Sequence, residues 1–279
     1  MLLAIDVGNT QTVLGLYELG DPAHLETAEG GLVGHWRAAT NGDATSDELA
    51  VLIDGFLAVE GWELLRDASG VAVASGVPRV TAALRGLVGH YFDFDPVVIE
   101  PGVRSGIPIR YDDPREVGAD RIANAVGAVA LYGGPTIVVD FGTGTTFDVI
   151  SAAGEYLGGV ICPGVEISLE ALFDRAAALA SVELVPPRNV IGRSTAESLQ
   201  SGAIYGYAAQ VDGLCRRIVG EIGPATVVGT GGLAPLISPH TACVQHVQPW
   251  LTLHGLRTVW YKNVAHHPDV PPGDGARGG

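Results

Sequence analysis

Lysine is almost missing from this sequence: among 279 residues there is one, Lys262, beside 15 arginines. That excludes a P-loop, because Gly-x-x-x-x-Gly-Lys-Ser/Thr places a lysine on the nucleotide's terminal phosphates. Any phosphate must be held by backbone amides, hydroxyls, arginine or a metal. Basic residues are also scarce overall, 16 against 31 acidic ones, for a formal charge of −15. Such a surface argues against nucleic acid and against an anionic membrane as partners. The three cysteines, Cys162, Cys215 and Cys243, are widely spaced and form no Cys-x-x-Cys, so they predict buried thiols rather than a disulfide framework or a zinc site. Eight histidines form no His-Glu-x-x-His, and the His266-His267 pair beside the tail is expected to be solvated. No apolar run approaches the ~20 residues of a membrane helix, and the N-terminus enters a strand without a basic leader, so a cytoplasmic, soluble protein is expected.

What the chain does have is a repeated grammar. Residues 137–150 (IVVDFGTGTTFDVI) are an apolar run ending on Asp140, a Gly/Thr turn and a second apolar run. This predicts two strands joined by a tight turn. Gly142 and Gly144 carry no Cβ, so amides there can approach an anion, and the hydroxyls of Thr143, Thr145 and Thr146 add donors. Asp140 would repel phosphate directly and is suited to a cation or a cation's water. A single copy is an ordinary hairpin. Residues 2–17 (LLAIDVGNTQTVLGLY), however, repeat the pattern with Asp6, Gly8, Thr10 and Thr12.

Two matched phosphate hairpins, one opening each half, resemble the duplicated ribonuclease-H-like domains of the acetate/sugar kinase, Hsp70 and actin superfamily. The resemblance implies an α/β fold of two actin-like ATPase domains with ATP in the cleft between them, here at residues 1–121 and 122–264, followed by a disordered tail at 265–279. With 47% hydrophobic residues the chain can bury two cores.

The rest of the chain fits an α/β order. Residues 18–34 predict a variable loop and 34–38 a strand. Helices are expected over 46–65, 79–90, 122–132, 165–180, 195–219 and 251–264, and strands at 71–74, 97–99, 225–229 and 243–247. Ser194 followed by Glu197 predicts a capping box. Small residues after it, Gly202, Ala203, Gly206 and Ala208, suit either a subunit interface or interior packing. Gly229-x-Gly231-x-x-Ala234 imitates a dinucleotide fingerprint, but it follows two hairpins and the next ~20 residues hold no acid.

An ordered motif set narrows the resemblance. Asp6-Val7-Gly8-Asn9-Thr10, Tyr111 ahead of Gly118-Ala119-Asp120-Arg121, Asp140-Phe141-Gly142-Thr143-Gly144-Thr145 and residues 158–164 (GGVICPG) are similar to type III pantothenate kinase. Residues 191–195 (IGRST), 230–234 (TGGLA) and the Leu251-Thr252-Leu253 run continue the match over all but the tail. Asp113-Pro114 stands where the family commonly has Asn-Pro, and Trp250 is unusual there. The family implies phosphorylation of pantothenate by ATP, the first step of coenzyme A synthesis, with Mg²⁺ and a monovalent cation, K⁺ or NH₄⁺, held by Asp140. It implies Asp120 as base with Arg121 beside it, and Tyr111, Gly118, Ala119, Asp120, Arg121 and Thr195 around the substrate. ATP phosphates fall to Asp6, Val7, Gly8, Asn9, Thr10, Gln11, Thr12, Val13, Gly142, Thr143, Gly144 and Thr145, with Gly231 and Gly232 against the adenosine. A homodimer is implied, sharing its site through Thr195 of the other subunit. From the residues alone, Asp120 could equally cap its helix, Arg121 could pair with Asp112, Asp113 or Glu116, and Thr195 could merely help start its own helix. A regulatory homologue like the Bvg accessory factor, or an Hsp70-like ATPase module, are the other functional classes.

Overall fold

A computed structural model describes residues 1–176, 179 and 181–264. The expected disordered tail and His266-His267 lie outside the described residues, as does part of the helix expected to reach residue 180. The chain separates into two compact units, Met1–Pro108 with Asp113–Leu131 and Thr252–Gly279, and Ile109–Asp112 with Tyr132–Leu251.

The first unit is built on β1 (Leu2–Val7), β2 (Gln11–Tyr17), β3 (Leu32–Ala39), β4 (Gly70–Ser75) and β5 (Val97–Val98), ordered β3-β2-β1-β4-β5. The first three are antiparallel; β4 and β5 run parallel to β1. One face of the sheet, Leu3, Ile5, Val7, Leu14, Val71 and Val73, buries against α1 (Ser46–Val59) and α3 (Pro78–Tyr91), with the single-turn α2 (Leu64–Asp67) between those helices in the chain. Thr45 and Glu48 cap α1 reciprocally, and α1 stops at Val59, short of residue 65, where Gly61 turns the chain at φ +86°. The opposite face mixes Leu2 and Tyr17 with Ala4, Gly15, Gly70 and Ala72, and a Cβ on Gly15 or Gly70 would strike Leu253 or Trp260 of the terminal helix, Leu251–Val264. That helix crosses α4 (Ala119–Tyr132) at Gly255, whose missing side chain admits the Ala123 backbone. Residues 122–131 and 252–264 therefore group with the first unit rather than with the C-terminal half.

The second unit repeats the plan with β6 (Thr136–Phe141), β7 (Gly144–Ile150), β8 (Tyr156–Pro163), β9 (Thr226–Thr230) and β10 (His246–Val247), ordered β8-β7-β6-β9-β10. Again three strands form an antiparallel meander and two run parallel to the first. Its core joins Ile137, Val139, Phe141 and Phe147 to Ile204, Val211 and Cys215. Those last three lie on a π-turn at Gly202–Gly206 and on α7 (Tyr207–Ile222), which follow α5 (Val165–Arg175) and α6 (Thr195–Ser201). Short α8 (Ala234–Ile237) follows β9. Ala203 and Ala208 are interior packing, whereas Gly202 and Gly206 face open space.

Candidate active site

In the first unit Asp6 pairs with Val13 across the hairpin and with Ala74 of β4, so its carboxylate sits at the strand end where the sheet changes from antiparallel to parallel. Four residues, 8–11, separate the paired Val7 and Thr12. Gly8 donates its amide to the Gln11 carbonyl at 3.0 Å, and a Cβ on Gly8 would stand 3.0 Å from that oxygen. Asn9, Thr10 and Gln11 are exposed, and Gln11 accepts from Arg37 at 3.1 Å. Val7 is buried and offers its backbone only.

The same unit carries Gly118 to Arg121. Asp120 is exposed and lies inside α4 rather than capping it; its carboxylate accepts from the Arg121 amide at 2.9 Å. Gly118 leaves room for it: a Cβ there would stand 2.5 Å from the Asp120 Oδ1 and push that carboxylate aside. Arg121 is 7% exposed. Asp113 is taken by Arg115 through two hydrogen bonds of 2.9 and 2.8 Å, so the residue that departs from the family pattern is paired locally.

In the second unit Asp140 pairs with Thr146 and with Thr230 of β9, the position that Asp6 has in the first. Its turn is tighter: three residues, 142–144, separate the paired Phe141 and Thr145, and the Gly142 amide donates to the Gly144 carbonyl at 3.0 Å. Two glycines close over this turn. Gly164 abuts the carbonyls of Gly142 and Thr143, and Gly231, at φ +89°, abuts the Asp140 carboxylate and the Phe141 backbone; a Cβ at either would collide. Leu233 then donates to the Phe141 carbonyl at 3.2 Å, so residues 230–234 lie against the hairpin. Thr145 departs from expectation. It is fully buried on the Phe147 side of β7 with no partner for its hydroxyl, which leaves Thr143 and Thr146 as the hydroxyls on the more open side.

Tyr111 belongs to the second unit. Ile109 bridges to Tyr156, Arg110 donates its amide to the Tyr156 carbonyl at 2.8 Å, and its guanidinium pairs with Glu155 at 2.7 Å. The Tyr111 ring is seated over Gly158, where φ is +123° and a Cβ would stand 3.3 Å away. Thr195 is exposed at the first position of α6. Ser194 is the cap, accepting from Glu197 N at 3.2 Å, but the Glu197 carboxylate takes the Arg193 amide at 2.7 Å, so the capping box is only half formed.

Sequence reasoning passed over Thr40, at the end of β3, which makes three hydrogen bonds to the first hairpin. A hydroxyl ending the strand that pairs with the phosphate hairpin was the available signal. Among the described residues no three His, Cys, Asp or Glu side chains cluster as a metal nest. Each of the two strand-end carboxylates, Asp6 in the first unit and Asp140 in the second, is by itself suited to a cation completed by waters and a ligand's own oxygens.

A family model described as type III pantothenate kinase matches residues 2–217. A type III pantothenate kinase of Streptomyces coelicolor is 50% identical over 273 residues, 95% of this chain and 99% of the relative. One from Frankia alni is 51% identical over 266 residues, covering 95% of this chain and all of the relative. Among solved structures, a putative Baf family transcriptional activator from Campylobacter jejuni superposes with TM-score 0.57 at 17% identity, over 94% of this chain and 98% of the other. A putative N-acetylmannosamine kinase from Listeria monocytogenes does so at 0.52 and 11%, over 94% and 99%. These two share the duplicated actin-like fold with this chain.

Proposed function

We propose a division of labour among the residues from one premise: the chain belongs to the type III pantothenate kinase family and phosphorylates pantothenate with ATP, opening coenzyme A synthesis. Phosphoryl transfer needs positioning and charge neutralisation more than covalent chemistry. The turns after β1 and β6 are phosphate-binding elements, offering amides, Thr10 and Thr143, with Asp6 and Asp140 turned to cations rather than to phosphate. Mg²⁺, bound with ATP, screens the charge on the transferred group. Asp140 holds a monovalent cation, K⁺ or NH₄⁺; the glycine cradle at Gly231, which a Cβ would fill, supports this reading. In a site without lysine, that cation supplies positive charge.

Asp120 is the general base, accepting the proton of the pantothenate primary hydroxyl as it attacks, and Arg121 positions the substrate or stabilises developing charge. The observation that carries this is the exposed Asp120 carboxylate fixed over Gly118 at a helix start. Tyr111 and Thr195 line the substrate site. Thr195 reaches it from the other subunit of a homodimer, a cytoplasmic enzyme with neither nucleic acid nor membrane as partner. Asp120→Asn keeps the shape and the amide contact, so it should lower kcat by ~10²–10⁴-fold while KM for ATP and the melting temperature hold. Coupled-assay kinetics with and without pantothenate check this. Retention of most of the turnover would remove Asp120 from the role of base.

A further inference from the structure

The geometry points to Thr40 as a positioning residue for the nucleotide turn, a role resting on the reading of residues 8–11 as an ATP phosphate element. Its hydroxyl lies 2.8 Å from the Gly8 carbonyl, which can only accept, so Thr40 donates there. A hydroxyl has one proton. The 2.9 Å contact between the Thr12 and Thr40 hydroxyls therefore runs the other way, with Thr12 donating to Thr40. The Thr40 amide donates to the Thr10 carbonyl at 2.9 Å, and the third turn carbonyl, Gln11, is taken by the Gly8 amide. Three carbonyl dipoles are thus satisfied within the fold.

Two consequences follow from this arrangement. Carbonyl oxygens repel phosphate, so tying them back leaves the amide ends of the turn to meet an anion. Thr12, its proton committed to Thr40, meets a ligand with lone pairs only, which suits a cation or a water and leaves phosphate to the turn's amides and Thr10. A cavity of about 240 Å³ lies between the sheet and the helices α1 and α3, with Val7, Thr12, Ala39, Leu49 and Val80 among its lining. None of residues 8–11 lines it, and the contacts through Thr40 are what tie the turn to β3.

The test compares Thr40→Val, which keeps the shape and loses the donor, with Thr40→Ser, which restores the hydroxyl, and Gly8→Ala, which disturbs the turn itself. Steady-state kinetics are joined to ADP affinity by calorimetry. Thr40→Val should raise KM for ATP and weaken ADP about 5- to 30-fold, with KM for pantothenate unchanged, and Thr40→Ser should recover most of the loss. If Thr40→Val folds poorly, Thr40→Cys, a weaker donor of similar size, should fall between the two. A lowered melting temperature with unchanged nucleotide affinity, while Gly8→Ala weakens ATP, overturns the role of Thr40. Nucleotide affinity indifferent to Gly8→Ala as well overturns instead the assignment of this turn to phosphate.

Discussion

The turns after β1 and β6 close equivalent strand pairs in sheets of equivalent order, yet they are braced by different chemistry. The first is four residues long and tied by hydroxyls, through Thr12 and Thr40. The second is three residues long and held by backbone packed on backbone, with Gly164 and Gly231 pressed against it. A hydroxyl brace is adjustable, because one rotor can be exchanged for another at the cost of a hydrogen bond. A glycine brace is not, because any side chain overlaps atoms that cannot retreat. Duplication thus preserved topology and the aspartate at each strand end, while the two turns diverged in how much change they tolerate.

The largest expected effect separates the aspartates. If Asp140 holds the monovalent cation as proposed, Asp140→Ala should lower activity about a hundredfold or more in K⁺ buffer, or sharply raise the K⁺ requirement, because it removes the charge that would fix that cation. Asp6→Ala should weaken ATP while preserving the ratio of rates in K⁺ and Na⁺. Equal wild-type rates in the two salts would erase this difference between the hairpins.

The braces themselves are next. Gly231→Ala imposes both a collision with Phe141 and a left-handed φ, and should cost about 3 kcal/mol or more. Gly8→Ala meets one carbonyl oxygen at 3.0 Å and should cost about 1 kcal/mol. Denaturant midpoints decide. Equal losses would mean that the two turns are not braced differently at all.

The units also differ in what is buried. In the first, Arg257 is fully buried in the terminal helix, stacks over Tyr17 at 4.4 Å and donates to the carbonyls of His24, Thr27 and Gly30. Its Nη2 also faces the His254 Nδ1 at 2.7 Å. Arginine only donates, so Nδ1 accepts and the His254 proton sits on Nε2, which is buried without a partner. Burial first, and the Arg257 charge second, push the His254 pKa down to about 4. In the unfolded chain it is ~6.5. Between those values the unfolded chain takes a proton that the folded one refuses, so stability present above pH 6.5 is lost on the way to pH 4, by up to roughly 3 kcal/mol. His254→Gln should flatten the fall in denaturant midpoint between pH 7 and 4.5. An unchanged fall would place the acid sensitivity elsewhere.

Local pattern made the hairpins legible: short apolar runs set the strands, and Gly and Thr set the turns. The long-range assignments were not. Nothing near residue 255 announces that its glycine receives Ala123, so the terminal helix and α4 could not be placed with the first unit by order along the chain. Loop 18–34 looked featureless because its partner, Arg257, lies more than 200 residues on. Thr145 read as one more donor, and only the face of β7 on which it falls shows that its hydroxyl is enclosed. Among the candidate residues, the motif order identified Asp120 and Arg121, while the burial of one and the exposure of the other needed coordinates.

The smallest effect concerns the helix starts, where the two units differ again. At α1 the threonine is consumed: Thr45 is the cap, locked to Glu48 in both directions. At α6 Ser194 does the capping, so the adjacent Thr195 is exposed and its hydroxyl is not needed to start its helix. If Thr195 serves the substrate of the other subunit, Asp120→Asn and Thr195→Ala carry complementary defects. Asp120→Asn supplies a good Thr195, and Thr195→Ala supplies a good Asp120. After subunit exchange, an equal mixture holds half heterodimers, each with one intact site of two, so about a quarter of wild-type activity should return at low pantothenate. Thr195→Ala alone should leave the melting temperature nearly unchanged, since the cap is Ser194, whereas Ser194→Ala should cost about 1 kcal/mol. A mixture no more active than the mean of its parents would confine Thr195 to its own subunit, and the helix starts of the two units would then differ in capping alone.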